Sequence, residues 1–329
     1  MDKIRFGILS TAKIGRKDVI PALQESEYNV VTAIASRSLE RAKETADELD
    51  IPTAYGSYEE LLDDPEVDAI YNPLPNHMHV PWTMRALEAK KHVLCEKPLG
   101  MSKDEVLDLI NFAEKYPNLK VMEAFMYRFH PQWIRTKTLI DEGAIGELQT
   151  IRSAFSYYKT DPENIRNKPE MGGGGLMDVG CYCISLSRFL FDAEPNRIVG
   201  YIEKDPDLKV DKIASGIMDF EHGSSTFTCS MQMEAEQTIT AYGTDGKITI
   251  DIPFNPPANE STTVQLITGG EHQTITIEPS NHYALQGDAF AKSILQNTAV
   301  PTPLTDAVAN MKAIEAVVES AEKNSWVDL

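Results

Sequence analysis

Positive charge is scarce in this chain: 31 lysines and arginines stand against 50 aspartates and glutamates in 329 residues, a formal net charge of −19. A nucleic-acid surface needs clustered Lys and Arg against phosphates, so a general nucleic-acid binder is excluded. An anionic membrane surface is disfavoured on the same ground. A small anionic cofactor is not, because it needs only a local positive site such as a helix N-terminus. Cysteine is sparse as well. Cys95, Cys181, Cys183 and Cys229 form no CxxC pair, and the 181/183 spacing suits no zinc site, so no metal is expected. No apolar run reaches the length of a membrane span. The opening run Met1-Asp2-Lys3-Ile4-Arg5 enters a strand pattern directly. A signal peptide is therefore not expected, and a cytoplasmic location is. Fixed-period repeats and low-complexity linkers are lacking too.

What is present is ordinary globular material, 42% hydrophobic and 25% charged, long enough for about two domains. Strand-like runs at 3–9, 30–35, 67–71, 91–95 and 119–123 alternate with helical stretches at 14–24, 39–49, 80–90 and 103–115. That alternation predicts right-handed crossovers and a doubly wound parallel sheet over residues 1–123. Beyond it, 131–142 and 176–191 read as helices and 147–157 as a long strand. A succession of β-like runs then extends from Arg197 to Glu278 with no helix between them. This second region, 124–329, predicts an α+β domain with a large, mostly antiparallel sheet. Helices at 283–296 and 305–323 close the chain, and the last of them is free to pack back on the first domain.

The residues that carry chemistry sit where such a sheet would keep its ligand. Cys95-Glu96-Lys97-Pro98-Leu99 follows the strand at 91–95 and places one lysine at the ligand edge. An ammonium there can stand beside a substrate oxygen or carry a proton. The first turn reads Ser10-Thr11-Ala12-Lys13-Ile14-Gly15 between strand and helix, where a dinucleotide pyrophosphate would rest on the helix N-terminus. After the second strand come Ser36-Arg37, with Arg41 four residues on, in place of the acid that bonds a ribose in NAD sites. A carboxylate would repel a 2′-phosphate, whereas an arginine fork attracts one. The loop Asn72-Pro73-Leu74-Pro75-Asn76-His77-Met78-His79 is rigid and suits the wall of a nicotinamide site. Its two histidines lack partners at metal-site spacing. Asn72, Pro73, Leu74, Asn76, His79, Glu96 and Lys97 complete the expected cofactor site. In the second region, Gly172–Gly175 lead into Asp178 and Tyr182, four apart and so on one face of a helix. A carboxylate and a phenol on one face suit hydroxyl recognition and proton transfer.

In their order and spacing, these segments, together with MEAFMYRFHP (122–131) and GGGGLMDVGCY (172–182), resemble the Gfo/Idh/MocA oxidoreductase family. Within it they are most similar to the dimeric dihydrodiol and D-xylose dehydrogenase branch, which uses NADP. The resemblance implies a Rossmann domain followed by an α/β domain whose open sheet makes a homodimer contact. It also implies that Lys97 is the catalytic lysine of the EKP motif. Many relatives carry Asp and His four apart on the active-site helix. Asp178 and Tyr182 stand here instead, as in the dihydrodiol branch, and Ser10 replaces a commoner glycine.

The expectation is therefore a dehydrogenase or reductase acting on CH–OH or CH–CH groups of a sugar or small vicinal diol, with NADP as cofactor and NAD as the second choice. Tyr182 would carry the proton, with Lys97 favouring its phenolate, or the two roles would be exchanged. Asp178 would bond substrate hydroxyls or orient Tyr182. His79 and His130 are weaker candidates for the substrate wall. A non-catalytic dinucleotide sensor and an NAD-dependent glycosidase are the alternatives. Bulk reduction of nicotinamide separates a dehydrogenase from both.

Overall fold

The computed structural model of the chain describes residues 3–329, so Met1 and Asp2 of the opening run lie outside the described residues. The helices are α1 (Ile20–Gln24), α2 (Leu39–Glu48), α3 (Tyr58–Leu62), α4 (His79–Glu88), α5 (Lys103–Ala113), α6 (Pro131–Asp141), α7 (Cys181–Phe191), α8 (His282–Leu295) and α9 (Leu304–Lys323). The chain separates into two compact units. One contains the described residues up to Met126 together with Asn281–Val308, the other Tyr127–Ser280 with Ala309–Leu329.

The first unit is built on β1 (Ile4–Leu9), β2 (Asn29–Ala35), β3 (Thr53–Tyr55), β4 (Ala69–Asn72), β5 (His92–Glu96) and β6 (Val121–Ala124). They lie in the order β3-β2-β1-β4-β5-β6, all parallel. This is the doubly wound arrangement, and its order reverses between β1 and β4, where such sheets keep their ligands. Phe6, Ile8, Ile34, Ile70 and Leu94 are fully or almost fully buried, as strands covered on both faces require. Gly7 is needed for closeness: a Cβ there would stand 2.7 Å from Leu61 of α3. Serines 38, 57 and 102 cap α2, α3 and α5, each hydroxyl accepting an N–H three residues on. From the far end of the chain, α8 packs on α1, and Phe290 meets Phe6 at 6.2 Å between ring centroids.

The second unit carries β7 (Leu148–Tyr158), β8 (Arg197–Lys204), β9 (Asp211–Phe220), β10 (Gly223–Ser230), β11 (Gln232–Gly243), β12 (Gly246–Ile250), β13 (Thr262–Thr268), β14 (Glu271–Ile277) and β15 (Val327–Asp328). They form one sheet in the order β14-β13-β12-β11-β7-β10-β9-β8-β15. Every pairing is antiparallel except β7 with β10. Burial alternates along the strands. Ile151, Phe155, Ala214, Met218, Phe227 and Ile239 are buried, and α7 packs on β7 and β10. The intervening residues Arg152, Thr226, Thr228, Thr238, Thr240 and Tyr242 line a shallow depression on the other face. Hydroxyl pairs such as Ser215–Thr228 at 2.9 Å tie neighbouring strands there. Under the covered face, Tyr127, Trp133, Phe155, Tyr182 and Phe254 form one aromatic cluster, with Phe155 and Phe254 stacked at 4.9 Å.

Candidate active site

In the first unit, β1 ends at Leu9 and Ser10 takes the left-handed φ of 81°. A non-glycine residue there costs roughly 1–2 kcal/mol. The serine hydroxyl offsets part of that cost by accepting the Ala12 N–H at 3.2 Å, while its own N–H donates to Ala35 at 2.9 Å. Thr11 and Ala12 are half-buried, Lys13 is exposed and Ile14 half-buried. The turn that follows, Gly15–Val19, is π-helical, a form enriched at functional sites. The N–H groups that open a helix have no intrahelical acceptor, so this turn suits an anionic ligand. A Cβ on the buried Gly15 would make ordinary contacts at 3.7–4.0 Å with Tyr71, Ile20 and Ile8. Close helix packing alone therefore does not demand glycine at that position.

At the end of β2 the two candidate side chains behave differently. Ser36 is buried, and its hydroxyl accepts the Ser38 N–H at 3.3 Å, turned toward its own chain. Arg37 is exposed, with its guanidinium against the Tyr58 hydroxyl. Burial raises the Tyr58 phenol, while the charge and hydrogen bond of Arg37 pull it down. Arg41 is exposed on the first turn of α2, its N–H donating to the cap Ser38.

The Lys97 loop is held from three sides. Tyr71, fully buried at the end of β4, donates its hydroxyl to Glu96 at 2.7 Å. His79, at the start of α4, sets its Nδ1 against the Pro98 carbonyl and its Nε2 against the Leu74 carbonyl, both at 2.7 Å. Glu123, from β6, accepts the Leu99 N–H at 2.8 Å. Segments read separately in the sequence, PLPNHMH, CEKPL and MEAF, thus converge on one loop. Burial pushes His79 down to about 4 against the pull of its two carbonyls. A neutral imidazole carries one N–H, so the ring donates to one carbonyl at a time. Asn72 is also fully buried. Its amide donates to the His79 carbonyl at 3.1 Å and accepts the Leu74 N–H at 3.3 Å. Asn72 and His79 therefore support the loop rather than offer side chains to a cofactor. Pro73 and Leu74 are buried, whereas Asn76, Glu96 and Lys97 are half-buried.

In the second unit the glycine loop leads into a second π-helical turn, Leu176–Gly180, which runs straight into α7. Asp211 caps it, accepting the Leu176 N–H at 2.7 Å. Burial pushes that carboxyl up to about 6. A Cβ on Gly174 would fall 2.0 Å from the same carboxylate, and Gly174 has a φ of +118°. Glycine is required there on both counts. Asp178 accepts a short hydrogen bond from the Tyr157 hydroxyl and pairs with Arg166 Nε at 2.9 Å. Burial and the Asp178 charge raise the Tyr157 phenol, and Asp178 also raises Arg166. Tyr182 is buried, its ring 5.2–5.8 Å from those of Phe254, Phe155 and Tyr127. Tyr157 and Arg166 were not singled out in the sequence. His130 is buried as the cap of α6, accepting the Gln132 N–H at 3.3 Å, and burial pushes it down to about 4. It is a cap rather than a substrate wall. Among the described residues, no group of three or more His, Cys, Asp or Glu is placed to hold a metal ion.

The pattern of an oxidoreductase family with an NAD-binding Rossmann fold matches residues 4–125, and that of the GFO/IDH/MocA C-terminal domain matches residues 133–249. The chain is 39% identical over 326 residues to D-xylose 1-dehydrogenase (NADP(+)) 2 of Haloferax volcanii, covering 98% of this chain and 99% of that one. The chain belongs to the Gfo/Idh/MocA oxidoreductase family. A bovine (Bos taurus) family member, trans-1,2-dihydrobenzene-1,2-diol dehydrogenase, is 32% identical over 84% of this chain and 81% of its own. Among solved structures, a 3-ketoreductase from Actinomadura kijaniata in complex with NADP and TDP-benzene superimposes with a TM-score of 0.92. It is 28% identical, with 97% of this chain and 98% of that one covered. The chain is thus an oxidoreductase with an NAD(P)-binding Rossmann domain.

Proposed function

We propose that this oxidoreductase is an NADP-dependent dehydrogenase or reductase that moves a hydride between the nicotinamide and a sugar or small vicinal diol. The observation that carries the reading is the Lys97 loop, fixed by Tyr71, His79 and Glu123 at the ligand edge of a doubly wound sheet. The donor set suits a dinucleotide. The turn Ser10–Gly15 presents a helix N-terminus, and Arg37 with Arg41 offers cations where an NAD site keeps an acid. Asn76, Glu96 and Lys97 would meet the cofactor farther along the sheet edge. When bound, the nicotinamide supplies or accepts the hydride. Tyr182 donates a proton to a carbonyl oxygen in reduction and withdraws the hydroxyl proton in oxidation, and Lys97 supplies positive charge at the ligand edge of the first unit's sheet. The relatives named for D-xylose and for a dihydrodiol support the substrate class. The deciding experiment is a screen of aldoses and vicinal diols with NADP and with NAD, read as reduced-nicotinamide absorbance. Turnover with NADP on members of either class is expected, and no turnover on any of them would sink the reading.

The same reading includes a homodimer formed through the outward face of the nine-stranded sheet. That face carries Tyr201 at 60% and Ile217 at 41% exposure beside its threonines. In this strongly acidic chain its centre is cationic, with Arg152 and Lys247 over the Tyr242 ring at 5.3 and 5.9 Å. A second copy of the chain covers such a face through an isologous contact. Light scattering at micromolar concentration should give twice the chain mass of 36.6 kDa. A monomer there would refute the dimer and leave the chemistry untouched.

A further inference from the structure

Gly174 ties two separate stretches of the second unit together. Its N–H donates to the Arg166 carbonyl at 2.9 Å, and its carbonyl accepts the Asp178 N–H at 3.0 Å. The side chains of the same two residues pair, with Arg166 Nε 2.9 Å from one Asp178 oxygen, and the Tyr157 hydroxyl bonds the other. A further carboxylate grips this closed ring. Asp211, the first residue of β9, accepts the Leu176 N–H at 2.7 Å, and the Gly175 N–H favours the same ionised form. The fit is close: a Cβ on Gly174 would fall 2.0 Å from one Asp211 oxygen, and a Cβ on Gly175 would fall 3.3 Å from the other. We propose that Asp211 is a positioning residue for the reaction: its ionised carboxylate fixes the π-helical turn 176–180 and so aims Asp178 at Tyr157 and Arg166. The proposal rests on the reading that Asp178 belongs to the active site.

The charge is what distinguishes Asp211 from an ordinary cap. A hydrogen bond to an ionised acceptor is roughly twice as strong as a neutral one, and negative charge suits the N–H groups that open a helical turn. Burial opposes the charge and pushes the carboxyl up to about 6. Protonation there leaves the Leu176 N–H with a neutral acceptor, and the turn is held less firmly. Turnover should therefore fall as pH drops through about 6. Other groups face the same carboxyl. Lys204 is its register partner on β8 and favours the ionised form. Lys212, next along β9, is paired with Glu203 at 2.6 Å. Tyr157 on β7 and Cys229 on β10 are raised chiefly by burial and stay neutral. Asp178, with a donor on each oxygen, stands on the turn itself.

Gly175-Leu176 is the one Gly-Leu step in the chain, so full-length protein carrying ¹³C′-glycine and ¹⁵N-leucine isolates the Leu176 N–H as a single resonance. In the wild type that resonance should titrate with a midpoint near 6, and in Asp211→Asn it should not. The Asp178 N–H is identified by loss of its ¹⁵N-aspartate signal in Asp178→Asn. At one fixed pH of about 7.5 it should exchange about tenfold faster in Asp211→Asn, the gap between a charged and a neutral hydrogen bond. Where a substrate is turned over, kcat should lose its acid limb in this variant, which a carboxylate that merely held the fold would leave in place. An unchanged Asp178 exchange rate in a folded Asp211→Asn overturns the proposal. So does a wild-type Leu176 N–H that stays still between about pH 5 and 8, a result that needs no variant. Neither amide measurement needs a substrate. If both behave as expected and no sugar or diol is turned over, the functional reading fails and the anchoring of the turn stands.

Discussion

Lys97→Met should lower turnover by at least ~10²-fold, the low end of what a lost acid–base contribution costs, and should lower cofactor affinity far less than that. Methionine keeps the length of the side chain and removes only the cation. The loop around it is held by Tyr71, His79 and Glu123 through Glu96, the Pro98 carbonyl and the Leu99 N–H. The backbone should therefore stay where it is. Tyr182→Phe removes one hydroxyl from a ring that remains packed against Tyr127, Phe155 and Phe254. Its expected loss is of the same order, with little change in stability. The double variant decides how the two residues work. Groups that act as one unit are strongly non-additive, so the pair together should be little worse than either alone. Near-normal turnover in both single variants would remove both residues from the mechanism. Full additivity would show that they act independently, and the idea that Lys97 tunes Tyr182 would be wrong.

The parts of this molecule that were legible in its sequence are those with strong local signals. The buried runs of β1, β2, β4 and β5 and the amphipathic helices between them specify a doubly wound sheet without knowledge of any long-range contact. β3 and α3 were missed for a physical reason. Thr53–Tyr55 is three half-buried residues and Tyr58–Leu62 is barely more than one turn, too short for either period to show. β11 starts at Gln232, and its first half is largely exposed and irregular in register between Gln232 and Glu236, so no alternation marks that half. The site divides in the same way. Lys97 stands out at the end of a strand, but the roles of Tyr71 and Glu123 as its supports exist only once the strands are side by side. Reading Asp178 and Tyr182 as a pair assumes an α-helical period. The backbone at 176–180 is a π turn, and Asp178 turns to Tyr157 and Arg166. Arg166 carries no such cue, since it lies six residues before the four glycines with Lys168 between. Nothing in composition or spacing links it to Asp178, twelve residues on.

Arg37→Asp should weaken NADP binding far more than NAD binding. The two cofactors differ by one phosphate on the adenosine ribose, and the end of β2 is where a doubly wound sheet recognises that ribose. Here Ser36 is buried with its hydroxyl turned to Ser38, so the burden of attraction falls on the exposed Arg37. A charge-assisted hydrogen bond contributes about 1.5–3 kcal/mol, which is roughly a ten- to hundredfold change in affinity. Aspartate removes that contact and also sets a carboxylate against the phosphate, so the loss for NADP should reach at least ~10²-fold. For NAD the same carboxylate can accept from the ribose hydroxyls, and affinity should hold or rise. The effect on NADP should also shrink with added salt, because an exposed charge is screened within about 10 Å at 0.1 M ionic strength. Tyr58 reports on the fold of the variant: its ring sits edge-on to Trp82 at 4.9 Å, and tryptophan fluorescence should be nearly unaltered if only the charge has changed. Binding constants for both cofactors decide the matter. Equal losses for NADP and NAD, or a wild type that already prefers NAD, would remove Arg37 from cofactor selection and with it the case for NADP.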